Sequence, residues 1–238
     1  MDESAIELAR MFADLAQQLQ QKGSSEQTLA EVVEAVHWAV DGCDGASAVL
    51  HPVRGKSKSP AFTAEWVLTC DRVQTELGEG PGREAVAENP VVRVTDMAAE
   101  RRWPRFAARA HALGVGSMLV YRLPSAEGLS CSLNLYGTQP GAFDTAAVEL
   151  AGIFAAHASV ALASARVQET LEAAVASRQS IGEACGILME RHGTTSRQAF
   201  EMLVQASQHM NVKLRRVAEI VVRTGRDPAD VIDERSGS

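Results

Sequence analysis

The sequence predicts an α+β protein built in two parts. An antiparallel sheet flanked by helices is joined by a long helix to a C-terminal three-helix module. Three observations predict it. Five short β-like runs lie between Ala46 and Gly137, separated by polar turns containing Gly and Pro. From Asp144 to Gly193 there is no proline, so one long helix is allowed. Beyond Thr195, two short amphipathic segments follow, each with a capping residue in front of it. Strand runs bracketed by helices favour a sheet with helices packed at one face or end.

Taken in order, Ile6, Leu8, Met11, Phe12, Leu15 and Leu19 recur near helical spacing, and Gly23 stops the run. Ser25 precedes a second helix, EQTLAEVVEAVHWAV, whose Leu29, Val32, Val33 and Val36 should face inward before DGCDG breaks it. The expected strands are 46–53, 61–69, 91–96, 115–123 and 129–137. RGKSKSP (54–60) and PSAEG (124–128) read as hairpin loops. A short helix from Arg83 and another with Pro104 in its first turn interrupt the strands. Within the long helix, Val167, Leu171, Ala174, Ile181, Cys185 and Leu188 alternate three- and four-residue steps, interrupted by Arg178. Such a period fits the seam of a coiled coil and hence a dimer. Thr195 with Gln198 forms a capping box for SRQAFEMLVQASQHM, with Ala199, Phe200, Leu203 and Val204 inward. Asn211 is placed to cap the last helix, which buries Leu214, Val217, Ala218 and Val221 and stops at Gly225. The dipeptide at 227–228 starts a terminal turn. The domain reading is 1–163, a helical coiled-coil linker over 164–175, and 176–238 with a short tail.

Composition narrows the class. The chain has 238 residues, 46% hydrophobic and 22% charged, as for an ordinary globular protein. No apolar run approaches the roughly 18 residues that cross a membrane, and the acidic, amphipathic start is unlike a secretory signal. Cys43, Cys70, Cys131 and Cys185 are scattered without metal-ligand spacing, which predicts free thiols in a reducing, cytoplasmic setting. The net charge of −7 argues against nucleic acid, but it is unevenly spread. Residues 175–224 hold 7 basic against 4 acidic side chains, a mildly basic module on an acidic body. Gly182 and Gly186, four apart on one helix face, each cost about 1 kcal/mol relative to Ala. Either a neighbouring helix or a nucleic-acid backbone would exploit the access they give.

The C-terminal residues SRQSIGEACGILMERHGTTSRQAFEMLVQASQHMNVKLRRVAEIVV (177–222) resemble the ANTAR family of RNA-binding antitermination modules. The supporting pattern is Arg178, ACGILM (184–189), Ala199-Phe200 and LRRVA (214–218). Cys185 stands where that family usually carries a polar or ionic residue, often Lys. The stretches LGEGPGREAVAENPVVRVTD (77–96) and FAARAHALGVGSMLVYRL (106–123) are similar to GAF sensor domains of the form attached to ANTAR modules in actinobacterial regulators. The resemblance implies a signal-responsive antiterminator, acting as a homodimer on mRNA stem-loops. It also implies association with transcribing RNA polymerase and an unidentified small-molecule ligand in the GAF domain. No cofactor or metal is identified.

Unpaired RNA bases stack on planar groups, and cations hold the backbone. The expected RNA-binding residues are Arg178, Gly186, Arg191, Ser207, Gln208, Asn211, Lys213, Arg215 and Arg216. Arg191 also suits the helix dipole, and Asn211 is equally a cap. Lys213, Arg215 and Arg216 at a helix start oppose the dipole, which favours an anionic partner nearby. No enzyme is expected: GEGPG (78–82) is similar to a phosphate loop but lacks the following Gly-Lys-Ser/Thr. The six histidines show no paired ligand spacing. A DNA-binding regulator, and a sensor without nucleic-acid binding, are the competing functions.

Overall fold

The computed structural model describes residues 24–52, 55–123 and 129–227. The expected helix of Ile6–Leu19, the 53–54 and 124–128 loop residues and the turn beyond Asp227 lie outside them. The described residues form seven helices and five strands, in two compact units divided between Val167 and Gln168.

In the first unit, helix α1 (Ser25–Ala39) starts one residue earlier than its sequence signal, because Ser24 is the N-cap and forms a capping box with Gln27. Leu29, Val32, Val33 and Val36 are buried as expected. Strands β1 (Gly45–Pro52) and β2 (Lys58–Phe62) then pair, so Lys58, Ser59 and Pro60 of the expected RGKSKSP loop are strand. Of the expected strand over 61–69, Ala61 and Phe62 are the end of β2, and the part from Glu65 is instead the start of helix α2 (Glu65–Leu77). The run WVLT suits either structure by composition, but Val67, Cys70, Asp71, Val73 and Gln74 bury at three- and four-residue spacing. Helix α3 (Pro81–Ala87) begins at Pro81, two residues before Arg83. Strand β3 (Val91–Val94), helix α4 (Pro104–Ala112), and strands β4 (Ser117–Leu123) and β5 (Leu129–Gly137) follow. Helix α4 has Pro104 in its first turn, and the Glu79 carboxylate accepts from the backbone N–H groups of Arg105 and Phe106 at 2.8 and 2.9 Å.

The sheet order is β2-β1-β5-β4-β3, antiparallel throughout. Helices cover both faces rather than one. On the first face, Ala46, Ala48, Leu119, Leu123, Leu133 and Leu135 meet α1 and the start of helix α5 (Thr145–His192). On the second, Val92, Met118, Val120 and Tyr136 meet Val67, Cys70 and Val73 of α2, Ala85 of α3, and Phe106 and Ala110 of α4. Alternate residues of β4 and β5 supply the two cores, as the period of a strand requires.

Helix α5 corrects the membrane reading. It contains an 18-residue window of mean hydropathy 1.7, long and apolar enough to cross a bilayer by length and composition. Alanine accounts for much of that hydropathy, and Ala147, Ala151, Phe154, Ala155, Ala158 and Leu162 are buried in the first unit's core.

In the second unit, the end of α5 combines with helices α6 (Ser196–Met210) and α7 (Leu214–Thr224). Thr195 and Gln198 form the expected capping box. The core is Ala184, Cys185 and Leu188 of α5, Ala199, Leu203 and Ala206 of α6, and Val217, Ala218 and Val221 of α7. Ile181 and Leu214 are partly buried against it. The expected seam therefore divides. Val167, Leu171 and Val175 are 57–64% exposed, whereas Cys185 and Leu188 belong to this internal core. Phe200, expected inward, is 42% exposed. Ala199, Leu203 and Ala206 fix the buried face, and Phe200 stands one residue, about 100°, off it. Val204 is only partly buried.

Candidate functional site

The cationic row begins at the α6–α7 connection. Asn211 adopts the left-handed conformation (φ 50°, ψ 42°) and closes α6; it does not cap α7, whose N-cap is Lys213 with no side-chain cap. The Ser207 hydroxyl donates to the Val212 carbonyl at 2.6 Å, so it is engaged in shaping the connection. Lys213, Arg215, Arg216, Gln208 and Asn211 are exposed. The guanidinium groups of Arg215 and Arg216 share one carboxylate, Glu219, at 3.3 and 3.2 Å. That sharing offsets part of the cost of cations at a helix start. Exposed pairs of this kind contribute at most about 1 kcal/mol each, so both arginines exchange partners readily.

The remaining expected residues lie elsewhere. Arg191 donates to the Gly225 carbonyl at the far end of α7, and His192 pairs with Asp227. Arg191 thus closes the end of the last helix, consistent with its reading as a C-terminal cation. Arg178 is exposed on α5, as are Gly182 and Gly186 at the following i+4 positions. A Cβ added to either glycine would meet nothing within 4 Å. Close packing inside the unit therefore does not explain them. Met189, 37% exposed, continues the same face one turn on, and Phe200 adds an exposed aromatic ring on α6. Sequence periodicity hid Phe200 because it stands beside the buried Ala199. Cys185, at the position where the family usually has a polar residue, is core, with its thiol raised by burial.

The first unit holds a second constellation that the sequence reading did not pick out. On β5, Ser132, Asn134 and Tyr136 are fully buried on the second face. Helix α2 brings the buried Asp71 against them: its carboxylate accepts from the Tyr136 hydroxyl at 2.6 Å, the Asn134 amide at 3.0 Å and the Ser59 hydroxyl at 2.8 Å. Burial raises the Asp71 carboxyl above its ordinary value, against the opposing pull of those donors. The Gln74 carbonyl accepts from the Gly82 backbone at 2.9 Å. The Asn134 side-chain oxygen accepts no hydrogen bond among the described residues. The missed signal was the polar alternation Ser130, Ser132, Asn134, which mimics a solvent face although both faces are covered.

His51 extends this network, its ring bridging the hydroxyls of Ser57 at 3.1 Å and Ser132 at 3.0 Å. Burial first, and then the Arg83 charge, lower its pKa from 6.5 to about 4. The folded imidazole is thus neutral where the unfolded one binds a proton. Stability is complete above pH ~6.5 and falls as pH drops toward 4, by up to about 3 kcal/mol, less the screening of a partly exposed ring. Denaturant melts across that range should show the loss, and His51→Gln should flatten it.

The thiols are not poised for chemistry. Burial pushes Cys43, Cys70 and Cys131 up to about 12, so they are protonated at neutral pH.

The chain thus combines a five-stranded antiparallel sheet clad on both faces with a helical triplet that carries a cationic row. The GAF domain family model matches residues 23–163 and the ANTAR domain family model matches 169–222. The chain belongs to the GAF family and is a GAF–ANTAR regulator. Both domains are regulatory, and together they define a signal-regulated regulator with an RNA-binding module. No curated protein matches the sequence. Among solved structures, the chain is similar to the GAF domain of a phosphoenolpyruvate-protein phosphotransferase from Acinetobacter, at 18% identity and TM-score 0.52, covering 71% of this chain and 99% of that one. It is also similar to a free methionine-R-sulfoxide reductase from Neisseria meningitidis, at 16% identity and TM-score 0.55, over 71% and 95%. A bacteriophytochrome from R. palustris aligns at 10% identity and TM-score 0.58, over 84% of this chain and 47% of that one. These likenesses concern the fold alone.

Proposed function

We propose that this chain is a cytoplasmic, signal-responsive antiterminator. Residues 176–238 bind stem-loops in nascent mRNA, in association with transcribing RNA polymerase. The GAF domain controls that binding through a small-molecule ligand. Two copies pair through α5, with 164–175 as the coiled-coil linker. The observation that carries the reading is the exposed row Lys213, Arg215 and Arg216 at an uncapped helix start, inside an ANTAR match. Phosphates favour such a place twice, through the cations and through unsatisfied backbone N–H groups. Gln208 and Asn211 stand beside the row to meet bases, and the Phe200 ring supplies a stacking surface. Arg178 and Gly186 extend the interface along α5, while Ser207 and Arg191 support it by holding the connection and the end of α7.

The pairing rests on α5 itself. Ile153, Val160 and Val167 recur every seven residues at 45–69% exposure, and Leu171 follows at 57%. A heptad repeat of exposed apolar side chains on one helix suits a second copy of that helix.

Filter binding at several salt concentrations, with stem-loop RNA and duplex DNA of equal length, tests the reading. Stem-loop RNA should be retained preferentially, with affinity falling as salt rises. Preference for duplex DNA would make the chain a DNA-binding regulator instead, and retention of neither would leave a sensor without nucleic-acid binding.

Gly186 gives a sharper prediction, because helix propensity and binding pull in opposite directions. Gly186→Ala enters open space, so it should stabilise the protein by up to about 1 kcal/mol and raise its melting temperature. The same methyl group should weaken RNA binding if RNA backbone approaches there. A rise in melting temperature with unchanged affinity removes Gly186 from the interface.

A further inference from the structure

A cavity of about 300 Å³ opens on the second face of the sheet, between the β1–β2 hairpin, the start of β5, the end of α2, and α3. Its polar wall is His51, Lys56, Ser57, Thr75, Arg83 and Ser130, and the rest is small or apolar. Among the described residues, no acidic side chain lines it. Lys56 and Arg83 are exposed, and neither forms an ion pair among the described residues. In a chain of net charge −7, two cations around a concavity whose described lining holds no carboxylate make a locally positive site. We infer that this cavity binds a small anionic molecule, one carrying a carboxylate or a phosphate.

Each side chain has a chemical task in that site. Arg83 offers the planar fork that matches a carboxylate or phosphate with two parallel hydrogen bonds, and Lys56 adds a second charge. Ser57, Thr75 and Ser130 supply hydroxyls that fix orientation. The volume lies at the lower end of ligand cavities, roughly 300–1,000 Å³, so a small metabolite fits better than a nucleotide or a tetrapyrrole. The cavity also has a path inward. His51, on its wall, is hydrogen-bonded to Ser132, and Asn134, two residues further along the same face of β5, donates to the buried Asp71. A Cβ on Gly82 would come within 3.5 Å of Ser132 and Asn134, so α3 lies directly over this path. An anion held by Arg83 on α3 therefore acts on the helix that covers the polar network. The inference rests on the regulatory reading above and names the chemical class of its signal.

The test is NMR of the His51 imidazole in the full-length chain, titrated with inorganic phosphate or with acetate at constant ionic strength, with chloride as the control. A saturable shift with phosphate, acetate or both, absent with chloride, is expected; which anion acts separates the two headgroups. Arg83→Gln should weaken the apparent affinity by about tenfold or more, and Lys56→Gln by less. Both sites are exposed, and circular dichroism checks that the variants fold. If neither anion gives a saturable His51 shift, or if Arg83→Gln leaves the titration unchanged, the anion site is wrong. RNA affinity, measured in parallel, keeps the two proposals apart. A His51 titration without any change in RNA affinity upholds the anion site and overturns its regulatory use. Loss of stem-loop preference overturns the antiterminator reading without touching the titration.

Discussion

Val167→Glu combined with Leu171→Glu should abolish the proposed pairing through α5 and leave a monomer. Val167 and Leu171 are 61% and 57% exposed on α5 and belong to none of the three cores described above. In a paired helix each copy would bury both, at about 1.5–3 kcal/mol for each side chain. The substitution removes that burial and places like charges opposite one another. Self-association should weaken by roughly 4 kcal/mol or more, on the order of a thousandfold. Sedimentation equilibrium reads the change, and circular dichroism should show the helical content of a folded chain, because glutamate is a good helix former. Binding to an RNA with two stem-loops should fall with dimerisation, while binding to a single stem-loop should change little. An unaltered sedimentation profile would show that this stripe does not pair the chains.

The second large effect concerns the cationic row. Replacing Arg215 and Arg216 together by Ala should reduce stem-loop affinity by ten- to a hundredfold, about 1.5–3 kcal/mol for two charge-assisted contacts. The salt dependence should flatten at the same time, because two fewer phosphates are neutralised. Folding should be little affected: the core residues Val217, Ala218 and Val221 lie on the opposite face of α7. Glu219 supplies the complementary test. Removing its carboxylate with Glu219→Gln frees both guanidinium groups from their shared partner, so RNA affinity should rise modestly where Arg215→Ala/Arg216→Ala lowers it. If the double variant binds as tightly as the parent, the row is not the contact surface.

The sequence made some of this visible and concealed the rest for identifiable reasons. Helices with a cap and a clean apolar period were readable: Thr195 with Gln198 starts α6, and Leu29, Val32, Val33 and Val36 are buried on α1. The second strand was not, because Lys58–Phe62 has the composition of a loop and is an edge strand held by pairing to β1 alone. The strand expected over 61–69 holds only at Ala61 and Phe62; from Glu65 the β-branched and aromatic residues concealed a helical spacing that continues to Gln74. The heptad pattern on α5 was legible, but periodicity could not tell an exposed stripe from one consumed by an internal core. Its upper residues are open and its lower ones, Cys185 and Leu188, meet α6 and α7. For the candidate RNA surface, charge pointed to Lys213, Arg215 and Arg216. Asn211 was misread because a residue between two helices serves either end, and here its left-handed backbone closes the first. The polar network around Asp71 was illegible because it is long-range: Asp71 and Asn134 are brought together only by α2 crossing the sheet.

All four thiols of this regulator are buried. Peroxides and disulfides react with thiolates, and three of the four side chains hold their protons up to about 12 while all four are shielded from solvent. Oxidants that act on thiolates should therefore leave these four cysteines reduced, and no disulfide should form on handling in air without added reductant.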